Sequence, residues 1–103
     1  MVVKMVLRQV YGFLKEIGVV SSESEFSRDW LGRSECYLRS VRFNGTEPSI
    51  STVALCASKL QHYGERMLNT EQHEWIGEEF MRLAAQCHTH INHACREQWR
   101  VPA

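Results

Sequence analysis

A chain of 103 residues holds one domain with a single modest core, and its 44% apolar and 23% charged residues exclude a disordered polymer. The longest unbroken apolar run, Val53–Ala57, is far too short to span a bilayer, so no membrane segment is expected. Twelve Lys and Arg against twelve Asp and Glu give zero net charge, which weighs against a broad grip on nucleic-acid phosphates.

Helical periodicity dominates and predicts five helices. The first runs from Val2 to Ile17, with Val3, Val6, Leu7, Val10, Leu14 and Ile17 forming one apolar stripe and Gly18 ending it. Lys4, Arg8 and Lys15 interrupt any apolar leader there, so an intracellular, cytoplasmic protein is expected. Ser22-Glu23-Ser24-Glu25 reads as a capping box, with Ser22 as the cap and Glu25 reaching back. It opens a second helix from Glu23 to Leu31, whose Phe26, Trp30 and Leu31 point inward and which Gly32 ends. Ser34 caps a third helix from Glu35 to Phe43. Its residues Tyr37, Leu38 and Val41 face inward, while Glu35, Arg39, Ser40 and Arg42 face outward.

Asn44-Gly45 is a turn, and Pro48-Ser49 restarts the chain with serine as cap. In the fourth helix Ile50, Val53, Ala54, Ala57 and Leu60 repeat at helical spacing as far as His62-Tyr63-Gly64. From Thr70 to Trp99 a long helix carries Ile76, Phe80, Leu83, Cys87, Ile91, Cys95 and Trp99 along roughly 35 Å of its axis, and Pro102 stands at the frayed end. The expected architecture is all-α. A helix-turn-helix core of about four helices occupies residues 1–63 and a C-terminal helical extension residues 64–103, within one domain.

A helix-turn-helix needs a small residue inside its first helix, an apolar lock between the two helices, and polar outward positions on the second. Ser27 supplies the first, Trp30 and Leu31 the lock, and Tyr37, Leu38 and Val41 return the contact. The order Ser24-Glu25-Phe26-Ser27-Arg28, Leu31-Gly32-Arg33-Ser34, Tyr37-Leu38, Asn44-Gly45, Pro48-Ser49 and Ala57-x-x-Leu60 resembles the lambda-repressor-like (Xre-type) DNA-binding family over residues 22–61. The wording from Phe26 to Ser34 also resembles small uncharacterised helix-turn-helix proteins of plant-associated bacteria and their mobile elements. Two departures stand out. The stretch from Phe26 to Tyr37 carries about one residue more than that family's turn, and Glu35 puts a carboxylate where the family meets bases or phosphates. The resemblance therefore bears more on fold than on base reading.

It implies double-stranded DNA as the partner. Arg28 and Arg33 are the expected phosphate contacts, with base-edge contact by Arg39, Ser40 or Arg42 and Ser34 also among the DNA-binding residues, although arginines on an exposed helix are also an ordinary solvated face. The long helix outruns what its own domain covers, so Cys87, Ile91, Cys95 and Trp99 are expected at a homodimer or partner interface unless the helix breaks near Gln86 and folds back.

No catalytic constellation is present. His73-Glu74 opens like a zinc-protease motif, but Gly77 stands where the second histidine belongs. Cys87, His88, His90, His93 and Cys95 fit no ligand template, so neither a metal nor a cofactor is expected. The four cysteines lack disulfide spacing, and Cys87 and Cys95 lie about 12 Å apart along one helix, too far to bridge. Two functions remain: a transcriptional regulator binding DNA as a homodimer, or a module of the same fold, such as an antiactivator, that binds a protein. Residues 1–45 hold seven basic against five acidic side chains, mildly favouring the first; residues 46–103 hold five against seven, mildly favouring the second.

Overall fold

The computed structural model describes residues 3–100, with side chains from residue 6 onward. The expected helix start at Val2 and the end at Pro102 lie outside the described residues, as does the Val3 side chain. Five α-helices follow one another: α1 Val3–Glu16, α2 Glu23–Asp29, α3 Tyr37–Asn44, α4 Ile50–Leu68 and α5 Glu74–Trp99, with a single 3-10 turn at Glu71–His73 before α5. No strand occurs among the described residues. The protein is all-α.

Each helix begins and ends for a local reason. Gly18 takes φ 82° after α1. The Val19 N–H then reaches back to the Leu14 carbonyl at 2.8 Å and the Gly18 N–H to that of Lys15 at 3.1 Å, closing the helix end as a Schellman motif. At α2 the Ser22 hydroxyl accepts the Glu25 N–H at 3.1 Å, as a capping serine does. Glu25 reaches back one residue further than the capping-box pattern predicts, accepting from the Ser21 hydroxyl at 2.7 Å. Ser49 caps α4 by accepting the Thr52 N–H at 3.3 Å.

Two boundaries differ from expectation. Residues 35–36 form a turn, and α3 starts at Tyr37 with no side-chain cap from its own N-cap residue. Ser34 contributes only its backbone carbonyl, which accepts the Tyr37 N–H at 3.0 Å. The missing cap comes from the preceding helix. The Ser27 hydroxyl, fully buried, accepts the Leu38 N–H at 3.1 Å and satisfies one of the free donors of the first turn. At the other boundary, α4 does not stop at Gly64 but continues to Leu68, so the 63/64 division of the chain falls inside a helix.

One core joins the helices. It contains Val6, Leu7, Val10 and Leu14 of α1, Phe26 of α2 with Trp30 and Leu31 after it, and Leu38 of α3. Val53, Cys56, Ala57 and Leu60 of α4 meet Phe80, Leu83, Ala84 and Cys87 of α5. The buried face of α4 is rotated from the expected stripe: Ala54 is exposed, and Thr52 and Cys56 are inside. Trp30 finds its ring partners away from α3, with Tyr63 at 5.9 Å and Phe80 at 6.1 Å between centroids. The lock thus ties α2 to α4 and α5 as well as to the turn.

The most extensive contact is between α4 and α5, and two glycines permit it. A Cβ on Gly77 would lie 2.8 Å from the Leu68 nitrogen and 2.9 Å from the Gly64 carbonyl oxygen. Beyond Cys87 no residue of α5 is fully buried, although Ile91 still packs against the edge of the core. The helix continues unbroken past Gln86 without folding back, Ile91 and Cys95 are half-buried, and Trp99 is 68% exposed. Cys87 itself is fully buried inside its own chain, which removes it from any partner interface. None of the described helices is long and apolar enough to cross a membrane.

Candidate functional site

The segment from α2 through the turn to α3 is held from behind by the Ser27 cap and by Leu38 and Val41, both buried. Gly32 makes the turn possible. Its φ is 64°, a backbone conformation that demands glycine, while the atom a Cβ would meet, the Leu55 Cδ2 of α4 at 2.5 Å, is the movable end of a half-exposed side chain. Gly45 at φ 67° ends α3 in the same way. From the N-cap along one outward side of α3 runs a strip of Cys36, Arg39, Ser40 and Phe43, all exposed, with Arg42 and Asn44 exposed beside it.

The four expected arginines are all solvent-facing, but they do not form one free positive ridge. Arg28 pairs with Asp29 at 3.1 Å and with Glu35 at 3.2 Å. The hydrogen bond to Asp29 and then the charge of Glu35 raise its pKa further above an already high value. Arg42 pairs across to Glu23 on α2. Arg33 lies in the turn with its guanidinium 4.7 Å from the centre of the Tyr37 ring. Arg39 donates to the Cys36 sulfur at 3.2 Å. Arg33 and Arg39 pair with no carboxylate among the described residues. Ser34 sits in the turn, exposed, and Ser40 is exposed on α3.

Sequence reasoning passed over Phe43. At 88% exposure it is the most exposed large apolar side chain of the described residues, one turn beyond Arg39 on the outward strip. Its position was readable from helical spacing. The Glu23–Arg42 pair, joining residues on different helices, carried no such signal.

The histidine and cysteine positions of α5 are divided among different surroundings. Cys87 packs against Cys56 of α4; the neighbouring thiol and burial push the Cys56 thiol well up from its ordinary value. His88 meets the Gln61 side chain at 3.2 Å. His90 and His93 line a concavity with Val6, Arg82, Ala85, Gln86 and Thr89, and burial draws the His90 pKa down. Among the described residues no group of three or more His, Cys, Asp or Glu is gathered for a metal.

The fold defines a five-helix, all-α protein with an outward third helix. A family model described as a family of unknown function, DUF6626, matches residues 7–100, and the chain belongs to that family. No curated protein and no solved structure matches the chain.

Proposed function

We propose that the protein is a small transcriptional regulator that inserts α3 into the major groove of double-stranded DNA. The carrying observation is the outward strip of Arg39, Ser40 and Phe43 on a short helix fixed from behind by Ser27, Leu38 and Val41. Arg39 and Ser40 are of the types that read base edges, and an apolar side chain such as Phe43 suits a thymine methyl group. Arg28, Arg33 and Ser34 border the strip as phosphate contacts. The exposed pairs of Arg28 and Arg42 do not bar this role, because such pairs are worth about 0–1 kcal/mol and a phosphate replaces the carboxylate at little cost. The protein acts as a homodimer through Ile91, Cys95 and Trp99 at the far end of α5. Two-fold symmetry then calls for an inverted-repeat operator with half-sites about one helical turn apart.

A second reading has its own observation. Glu23, Asp29 and Glu35 neutralise two of the four arginines, and the most exposed apolar residue stands beside the other positive group of α3. Arginine beside an aromatic residue is also what protein interfaces enrich, so an antiactivator-like module that binds a protein through the same strip is the rival. A salt-dependent titration on DNA from the protein's own locus separates them. A steep loss of affinity with salt supports DNA; no binding at low salt supports the protein target.

A further inference from the structure

We propose that the groove between the C-terminal end of α2 and the middle of α4 is a binding site for a small aromatic carboxylate. The groove is about 580 Å³ and is lined by Val19, Arg28, Asp29, Trp30, Lys59, Tyr63, Met67 and Phe80. That volume lies in the range of pockets that hold small organic ligands, and the composition follows their usual plan of apolar walls with a few polar groups. The inference does not depend on whether α3 meets DNA or a protein.

The walls select a ring. Trp30 and Phe80 meet edge to face with centroids 6.1 Å apart, and Tyr63 leans over Trp30 at 47° and 5.9 Å. Trp30 and Phe80 are nearly buried at 4% and 1%, so the ring that the groove offers to a ligand is Tyr63, 39% exposed, with Val19 beside it at 39% and the two buried rings holding it from behind. Met67 adds a polarisable, adaptable side chain to the same wall.

The rim selects an anion. Lys59 is half-buried, with its ammonium 4.8 Å from the centre of the Trp30 ring and one hydrogen bond to the Asp29 carbonyl oxygen. No carboxylate among the described residues pairs with it. An ammonium has three donors, so two remain for a ligand. Asp29, the only acidic residue of the lining, is already engaged by Arg28 at 3.1 Å. The rim therefore carries one uncompensated positive charge beside an aromatic wall, which is the complement of an aryl carboxylate.

The full-length chain titrated with 2-naphthoate, followed by tryptophan fluorescence and by calorimetry, tests this. Saturable binding is expected, about tenfold or more tighter than that of the neutral 2-naphthamide, because a charge-assisted bond is lost with the charge. Octanoate, which has the charge without the ring, is expected to bind more weakly. Lys59→Met keeps the stem over Trp30 and should lose most of the preference for acid over amide, while Lys59→Arg should retain it. Absence of saturation at millimolar ligand, equal binding of acid and amide, octanoate binding as tightly as naphthoate, or a folded Lys59→Met that still prefers the acid each overturns the proposal. Should Lys59→Met fail to give the native helical spectrum, the acid–amide comparison on the wild-type chain and the Lys59→Arg variant decide it.

Discussion

A Cβ placed on Gly77 would stand 2.9 Å from the carbonyl oxygen of Gly64, so α4 and α5 touch backbone to backbone at this crossing. In an open helix, replacing glycine by alanine gains about 1 kcal/mol. Here Gly77→Ala should instead destabilise the protein, since the Leu68 nitrogen and the Gly64 oxygen belong to rigid backbone and overpacking costs about 1–3 kcal/mol. Gly64→Ala should cost less, because the nearest atom to its new methyl is the Met81 sulfur at the flexible end of a side chain. Urea denaturation of the two variants checks the order.

Ser27 takes the capping role that the sequence position of Ser34 suggests, and Ser34 stays exposed in the turn. Ser27→Ala leaves the buried Leu38 N–H without its acceptor and should cost about 1–3 kcal/mol. Ser34→Ala should stay within about 0.5 kcal/mol, as is usual for an exposed residue whose side chain makes no buried contact. Equal losses at the two positions would show that the cap lies elsewhere.

Trp30→Ala should damage the fold more than either glycine change or Ser27→Ala, costing about 3–5 kcal/mol. Its ring is 4% exposed and touches α4 and α5 through Tyr63 and Phe80, so no single neighbour moves to fill the void. The expected outcome is a large fall in the urea midpoint or a chain unfolded at ambient temperature.

If DNA is the target, Arg39→Ala should reduce discrimination between operator and other DNA by about 1–3 kcal/mol, whereas Arg33→Ala should weaken all sequences alike. Glu23→Gln releases Arg42 from its pair and Glu35→Gln leaves Arg28 with Asp29 alone, and each change should raise affinity for any DNA while steepening its salt dependence. Electrophoretic shifts at several salt concentrations read both effects. Replacing Arg39, Ser40 and Phe43 together without any change in DNA binding removes α3 from the interface.

Much of the fold was legible because its causes are local. The stripe of α1, the serine caps of α2 and α4, and the glycines at 18, 32 and 45 each act within a few residues of themselves. The start of α3 was misplaced because its cap lies eleven positions away on another helix, a distance no local pattern records. Helical spacing alone places Ala54 in the core beside Val53 and Ala57, but α5 is the partner that α4 meets, and its line of approach turns Cys56 inward instead. At the candidate site the exposed positions of Arg39, Ser40 and Arg42 followed from periodicity. Their ion pairs did not, because Glu23–Arg42 depends on how α2 and α3 cross.

The far end of α5 supplies the test of assembly. Ile91 and Cys95 are half-buried and Trp99 is open, on a helix about 39 Å long whose last fully buried residue is Cys87 and whose Ile91 still packs against the edge of the core. The homodimer reading expects twice the chain mass by light scattering and a monomer after Ile91→Glu. A wild-type chain that stays monomeric at high concentration sinks that reading and leaves the surface to another protein.

The order of the helices along the chain has a consequence during synthesis. α4 and α5 are joined by the short segment 69–73, so their interface closes between neighbours as soon as both have emerged. α1 emerges before the other four described helices, yet its packing is completed only when α5 arrives, since Phe13 meets Phe80 and Trp75 of that helix, at 5.8 and 6.3 Å. Until α5 emerges Val6, Leu7, Val10 and Leu14 therefore lack part of their apolar cover, and incompletely covered apolar surface is the kind that chaperones hold and that aggregates when they do not.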